Sequence, residues 1–324
     1  MLKQRRYLEK LFAHVETWRP YTVIWSGLVS LAGACIARGD FPPFEISVLS
    51  FVIPVLGWIA GLYASDYIDR ELDAVEKPHR PIPSGRLKPS EVVLSAFIFA
   101  GIGLISSIIL GWVHILLVFI VATLVLAYSK ISKARGVLGN INRGTLIMLT
   151  FLFGVFTYSE VVFSATLFSI CILFFLHDVN SNLIGAARDV YGDREMGYET
   201  FPVTYGVRKT ILLSMILTVT WIIIGLTIIY SKSTLRFPWI TLSLFSSGIL
   251  VLVTGYIYLL RSRLRRMDLL RMHSLFIFER VILASSFILG VVSNTLTGFM
   301  ILSVSLLVTF LSEQSLRKRY EFAM

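Results

Sequence analysis

"GLYASDYIDRELDAVEKPHRPIPSGRL", residues Gly61 to Leu87, carries an apolar run straight into a loop crowded with charge. Asp66, Asp69, Glu71 and Asp73 stand at the end of a segment, 46–65, that is long and greasy enough to cross a membrane. Carboxylates are costly at such a place unless something cationic compensates them. Working outward, the rest of the chain is of the same kind. It is 56% hydrophobic with only 15% charged residues and a mean hydropathy of +0.76, well outside the range of a soluble domain.

Apolar runs recur near 20–38, 46–65, 91–110, 113–130, 142–158, 161–181, 209–230, 238–260, 274–293 and 296–312. None alternates as a transmembrane β-strand would. The expected fold is therefore all-α, a polytopic membrane bundle of nine or ten spans. Three regions follow: an amphipathic interfacial helix over 1–19, the bundle over 20–312 and a basic tail over 313–324. The first twenty residues lack the continuous apolar core and small-residue cleavage site of a secretory signal.

Charge orients the bundle. With the N-terminus cytoplasmic, the inward-facing segments hold 26 of the 30 Lys and Arg, and the outward loops hold only Arg38, Lys232 and Arg236. The net charge of +10 then faces an anionic leaflet rather than a nucleic acid, for which no extended basic soluble face exists. Cys35 and Cys171 both lie in apolar spans and carry no expected chemistry.

The opening stretch has a loose echo. "NLIGAARDVYGDREMGYETFPVTYG", Asn182 to Gly206, again follows a span with acids, arginine and a proline–glycine motif, on the same expected side. Asp66, Asp69 and Asp73 fall at i, i+3 and i+7, and Asn182, Asp189 and Asp193 at i, i+7 and i+11, so each set shares one helical face. A lone acid at a helix end is ordinarily a solvated cap, and recurrence of the pattern argues against that reading here. Two carboxylate clusters at one membrane face suit a hard divalent cation such as Mg²⁺, which fills its remaining positions with water and phosphate. Lys77, Arg80, Arg86, Arg188, Arg194, Lys130, Lys133 and Arg143 surround them, and such cations grip phosphate.

These residues resemble the UbiA-type intramembrane prenyltransferases. "DYIDRELDA…KPHRPIPSG" is similar to the first family signature, "RDVYGDREMGYETFPVTYG" to the second, and "AYSKISKARGVLGN" (Ala127 to Asn140) to a weaker segment between them. The resemblance implies a helical bundle around a central cavity open to lipid. It also implies transfer of a prenyl group from a polyprenyl diphosphate to a lipophilic acceptor, aromatic or glycerol-lipid. Asp66, Asp69, Asp73, Asp189 and Asp193 would be the catalytic carboxylates and the Mg²⁺ ligands. Arg80, Lys77, Arg188, Asn182, Tyr128 and Lys133 would contact substrate. Ser65 departs from the family, which carries Asn there, and ten spans exceed the usual nine. Trp58, Tyr63, Tyr67, Phe174 and Phe175 are candidates to face an allylic cation, and His177 reads as structural. The competing readings are a membrane terpene cyclase using the same aspartates and a carrier that kept the scaffold. Ion-coupled transport fits less well, because it would place acids in mid-membrane.

Overall fold

The computed structural model describes residues 2–158, 164–231 and 235–321. Their helices are α1 (Leu2–Trp18), α2 (Pro20–Arg38), α3 (Phe44–Ile68), α4 (Arg70–Glu76), α5 (Pro89–Leu110), α6 (Trp112–Ala127), α7 (Leu138–Val155) and α8 (Ala165–Arg188). Then come α9 (Val190–Glu195), α10 (Phe201–Tyr205), α11 (Val207–Tyr230), α12 (Pro238–Arg261), α13 (Arg266–Val291), α14 (Thr295–Ser312) and α15 (Lys318–Glu321). Wide π-turns follow α6, at Tyr128–Ser132, and α14, at Glu313–Arg317. Ten helices among the described residues are long and apolar enough to span a bilayer, matching the ten expected runs. The start of the 161–181 run, Lys232 of an outward loop and residues 322–324 of the tail lie outside the described residues.

Local chemistry sets the helix ends. Pro20, Pro89 and Pro238 occupy first-turn positions, where a missing N–H costs nothing. Gly39 closes α2 with a left-handed φ of 79°. At the start of α13 the Asp268 carboxylate accepts from the Arg265 N–H at 3.0 Å. That cap explains why α13 begins at Arg266 and not at the expected 274: polar residues hid two helical turns from hydropathy. The last pair of spans is therefore two full helices of 26 and 18 residues.

α2 and α13 are the most enclosed spans. Small residues let α2 meet α7 backbone to backbone: a Cβ added at Gly154 would sit 1.7 Å from the Ser30 carbonyl oxygen. One face of α1 docks on α3, where the Tyr63 hydroxyl accepts from Trp18 Nε1 and meets His14 Nδ1, both at 2.7 Å. Its other face exposes Tyr7, Leu8, Leu11 and Phe12, as an interfacial helix would.

The two acidic segments are built alike. α3 and α8 are spans of 25 and 24 residues, each followed by an aspartate at a break and then by a helix of seven or six residues. Asp69 N–H donates to Ser65 and Asp189 N–H to Gly185, so the helical register survives each break. The loose sequence repeat is thus a structural one. A short parallel ladder, Arg135–Gly136 against Glu199–Thr200, ties the loop after α6 to the segment after α9.

Candidate active site

A cavity of about 750 Å³ opens at the end of the bundle where α3 and α8 finish. All eleven site residues named from sequence lie on its wall: the five aspartates with Lys77, Arg80, Tyr128, Lys133, Asn182 and Arg188. The remainder is largely apolar, contributed by α3, α5, α6 and α7. Arg19 sits between α1 and α2 with φ +47°, an uncommon backbone for a non-glycine residue, and this turns its side chain onto Asp66.

The carboxylates at the mouth are each engaged. Asp66 takes the Arg19 guanidinium and accepts from the Tyr320 hydroxyl at 2.9 Å. Asp69 accepts from Lys133 Nζ at 2.7 Å, and both oxygens of Asp73 accept from Arg80 Nη1 at 2.7 Å. Asp189 is held by the fork of Arg188 at 3.0 and 2.5 Å, with Lys77 Nζ at 3.7 Å. Asp193 accepts from the Thr200 hydroxyl at 3.1 Å.

Burial and pairing set the protonation of this ring. Burial opposes charge on Asp189, but Arg188 and Lys77 outweigh it and hold the carboxyl well below its usual range. Burial likewise opposes charge on Lys133, and Asp69 with Tyr128 more than restores it, raising the pKa. For Lys77 burial wins over Asp189, and the pKa falls.

Sequence reasoning missed several wall residues. Arg19 belongs to no motif. Glu321 sits 3.3 Å from Arg188 Nη1 and 3.2 Å from Arg266 Nη2, and its acid is pulled down to about 2 by Arg188 and Lys77 against burial. The Arg19 and Arg80 guanidiniums each lie 4.0 Å from the Tyr320 ring centre. Thus the 313–321 segment, expected as a basic tail, folds back into the site. No local pattern signals it, because its partners on other helices lie from 43 to 301 residues away in sequence.

Of the expected aromatics, Trp58 and Tyr67 line the cavity, whereas Tyr63 anchors α1 and Phe174 packs in the core. Phe175 does not line it either. His177 is fully buried against Glu279 at 2.5 Å and lies off the cavity, as its structural reading required. Glu279 and Arg280, neighbours in sequence, do not pair. Glu279 serves His177, and Arg280 turns to the Tyr21 and Thr22 carbonyls and to the cavity.

The donor set is all carboxylate oxygen, the chemistry a hard divalent cation wants. Among the described residues, however, no three acid, histidine or cysteine side chains converge as a ready-made metal cage. Asp66, Asp69, Asp73 and Asp189 face Arg and Lys instead, so a metal would have to exchange for those partners.

A sequence profile of the UbiA prenyltransferase family matches residues 26–278. The digeranylgeranylglyceryl phosphate synthase of Korarchaeum cryptofilum (strain OPF8) is 31% identical over 215 residues, 66% of this chain and 75% of that one. A solved structure of a digeranylgeranylglyceryl phosphate synthase shares the fold at TM-score 0.65 and 22% identity, covering 88% of this chain and 99% of its own. A UbiA homolog from Archaeoglobus fulgidus, bound to DMAPP and Mg²⁺, does so at TM-score 0.57 and 16% identity, covering 93% and 99%.

Proposed function

Because the chain belongs to the UbiA prenyltransferase family, we infer that its charged ring binds a prenyl diphosphate and its apolar cavity the prenyl chains. The observation that carries this reading is the shared wall: two like-built helix ends bring five aspartates and their cations to one cavity. The names of the relatives supply the acceptor class. A digeranylgeranylglyceryl phosphate has two prenyl groups and one phosphate on glycerol, so its precursor is a prenylglyceryl phosphate with one free hydroxyl. We assign that lipid as acceptor and an allylic prenyl diphosphate as donor.

Asp66, Asp69, Asp73, Asp189 and Asp193 would hold Mg²⁺, which when bound neutralises the charge of the leaving diphosphate. The chain's own groups do the rest. Lys77, Arg80, Lys133 and Arg188, released from their aspartates, turn to the diphosphate oxygens. The allylic C–O bond breaks and its electron pair departs with the diphosphate. The acceptor oxygen bonds to the allylic carbon and its proton passes to the departing diphosphate. Trp58 and Tyr67 are aromatic members of the cavity wall, and an allylic cation gains roughly 1–2 kcal/mol from each aromatic face that meets it. The apolar walls keep water from that carbon. Tyr128 and Asn182 line the same cavity as Lys133, within reach of a bound substrate. With the basic loops cytoplasmic, the ring opens to the side where soluble diphosphate is released.

The test uses nanodisc-embedded protein with geranylgeranyl diphosphate, geranylgeranylglyceryl phosphate and Mg²⁺, followed by product analysis. Digeranylgeranylglyceryl phosphate should form with Mg²⁺ and not with EDTA. A cyclised hydrocarbon, or no diphosphate release from a folded protein, overturns the assignment.

A further inference from the structure

The same cavity carries a second set of polar side chains. Arg143, Arg280, Arg317, His273 and Asn140 line it, and none of them pairs with a carboxylate of the ring. The acids that balance these cations stand behind them. Asp178 lies 3.6 Å from Arg143 and accepts from Trp25 Nε1 at 3.2 Å, Glu279 is taken by His177, and Glu313 by Arg317 at 2.9 Å. None of the three lines the cavity.

Several donors among them are buried without a partner. Arg280 is 4% exposed, reaches two carbonyls only at 3.4 Å, and leaves its Nε without a partner. The Asn140 side-chain nitrogen, on a residue 3% exposed, has none either, nor has Arg317 Nε. Arg143 is braced 4.5 Å over the Trp58 ring. His273 Nδ1 faces Arg317 Nη2 at 2.8 Å, and because that guanidinium only donates, Nδ1 accepts and Nε2 holds the ring proton. Buried donors left unpaired in a membrane protein are expensive and mark a missing acceptor.

The contrast with the ring identifies that acceptor. Carboxylates repel a bare phosphate, so the ring takes phosphate through a metal. The second set offers guanidiniums with no ring carboxylate on them, and guanidiniums grip a phosphate monoester directly. Asn182 marks the boundary: it lies two helical turns, about 10 Å, below Asp189 on α8. We propose that Arg143, Arg280 and Asn140, with the Arg317–His273 pair, form a metal-free subsite for the phosphate monoester of the acceptor lipid. This rests on the acceptor class assigned above. The subsite would hold the acceptor by its headgroup while the donor diphosphate occupies the ring, so the two phosphorylated ends never compete for one set of cations.

Two measurements test it. The first is equilibrium binding of labelled geranylgeranylglyceryl phosphate in EDTA without donor, against dephosphorylated geranylgeranylglycerol, for the parent, Arg280→Gln, Arg280→Lys and Arg143→Gln. The glutamine variants should weaken the phosphorylated lipid by roughly 10- to 100-fold and leave the dephosphorylated one unchanged. Arg280→Lys should recover part of the loss. The second is steady-state kinetics, in which acceptor KM should rise while donor KM and the Mg²⁺ requirement stay put. Equal loss of both lipids, or a rise in donor KM instead, overturns the subsite. Arginine-dependent binding without any transfer would overturn the transferase reading and keep the subsite. Arg143, partly exposed beside Trp58, is the variant least at risk of misfolding.

Discussion

Replacing Asp69 with Asn separates a catalytic carboxylate from a structural one. The side chain keeps its shape and an acceptor oxygen for Lys133, and loses only its charge. The Lys133–Asp69 bond is 2.7 Å long between groups 23% and 16% exposed. A charge-assisted bond is worth roughly 1.5–3 kcal/mol, and partial exposure brings this pair toward the lower figure. If Asp69 were only a partner for Lys133, the variant would melt a few degrees lower and turn over normally when folded. If Asp69 ligates the metal that draws off the diphosphate, kcat should fall by about a hundred- to a thousandfold, or about 2.7–4 kcal/mol at the transition state. The apparent Mg²⁺ requirement should rise with it. The assay is diphosphate release in nanodiscs across a Mg²⁺ series, beside thermal melts of the same preparations. A kcat within threefold of the parent with an unchanged Mg²⁺ midpoint would refute the metal role.

Two further outcomes follow from the packing and the ring. Gly154→Ala puts a methyl into the Ser30 carbonyl at 1.7 Å, so α2 and α7 must part. Overpacking of this kind costs about 1–3 kcal/mol or more, and the folded yield and Tm should drop, whereas Gly57→Ala, which meets nothing within 4 Å, should leave both unchanged. Glu321 has its acid depressed from 4.5 to about 2, so its stabilising contribution is complete above pH 4.5 and disappears as pH falls from 4.5 toward 2. Thermal melts should show the parent losing more stability than Glu321→Gln over that acid window, and parallel curves would contradict the pairing.

Much of this was legible in the chain because the signals are local. Hydropathy reads spans directly, since backbone in lipid must satisfy itself within a helix. The aspartate spacings survive because the register continues through each break, so a face drawn on an ideal helix remains a face. What stayed hidden was contact between distant elements. Arg19 reaches Asp66 only through a left-handed residue at a helix junction, and Glu321 reaches Arg188 by folding the last helix over the mouth. Nor does sequence adjacency reveal the partner of Arg280. Adjacent residues on a helix point about 100° apart, so Glu279 and Arg280 serve different sides of α13.

The ring at the cavity mouth sets six carboxylates, Asp66, Asp69, Asp73, Asp189, Asp193 and Glu321, against six cations, Arg19, Lys77, Arg80, Lys133, Arg188 and Arg266. Such a ring is close to electroneutral before anything arrives. A divalent ion alone meets as much repulsion as attraction there, and so does a diphosphate alone. The two together bring charge of both signs and let each pair trade partners in one event. On the function proposed above, the mouth would act as a coincidence detector, favouring magnesium and a lipid diphosphate that arrive together over either one alone.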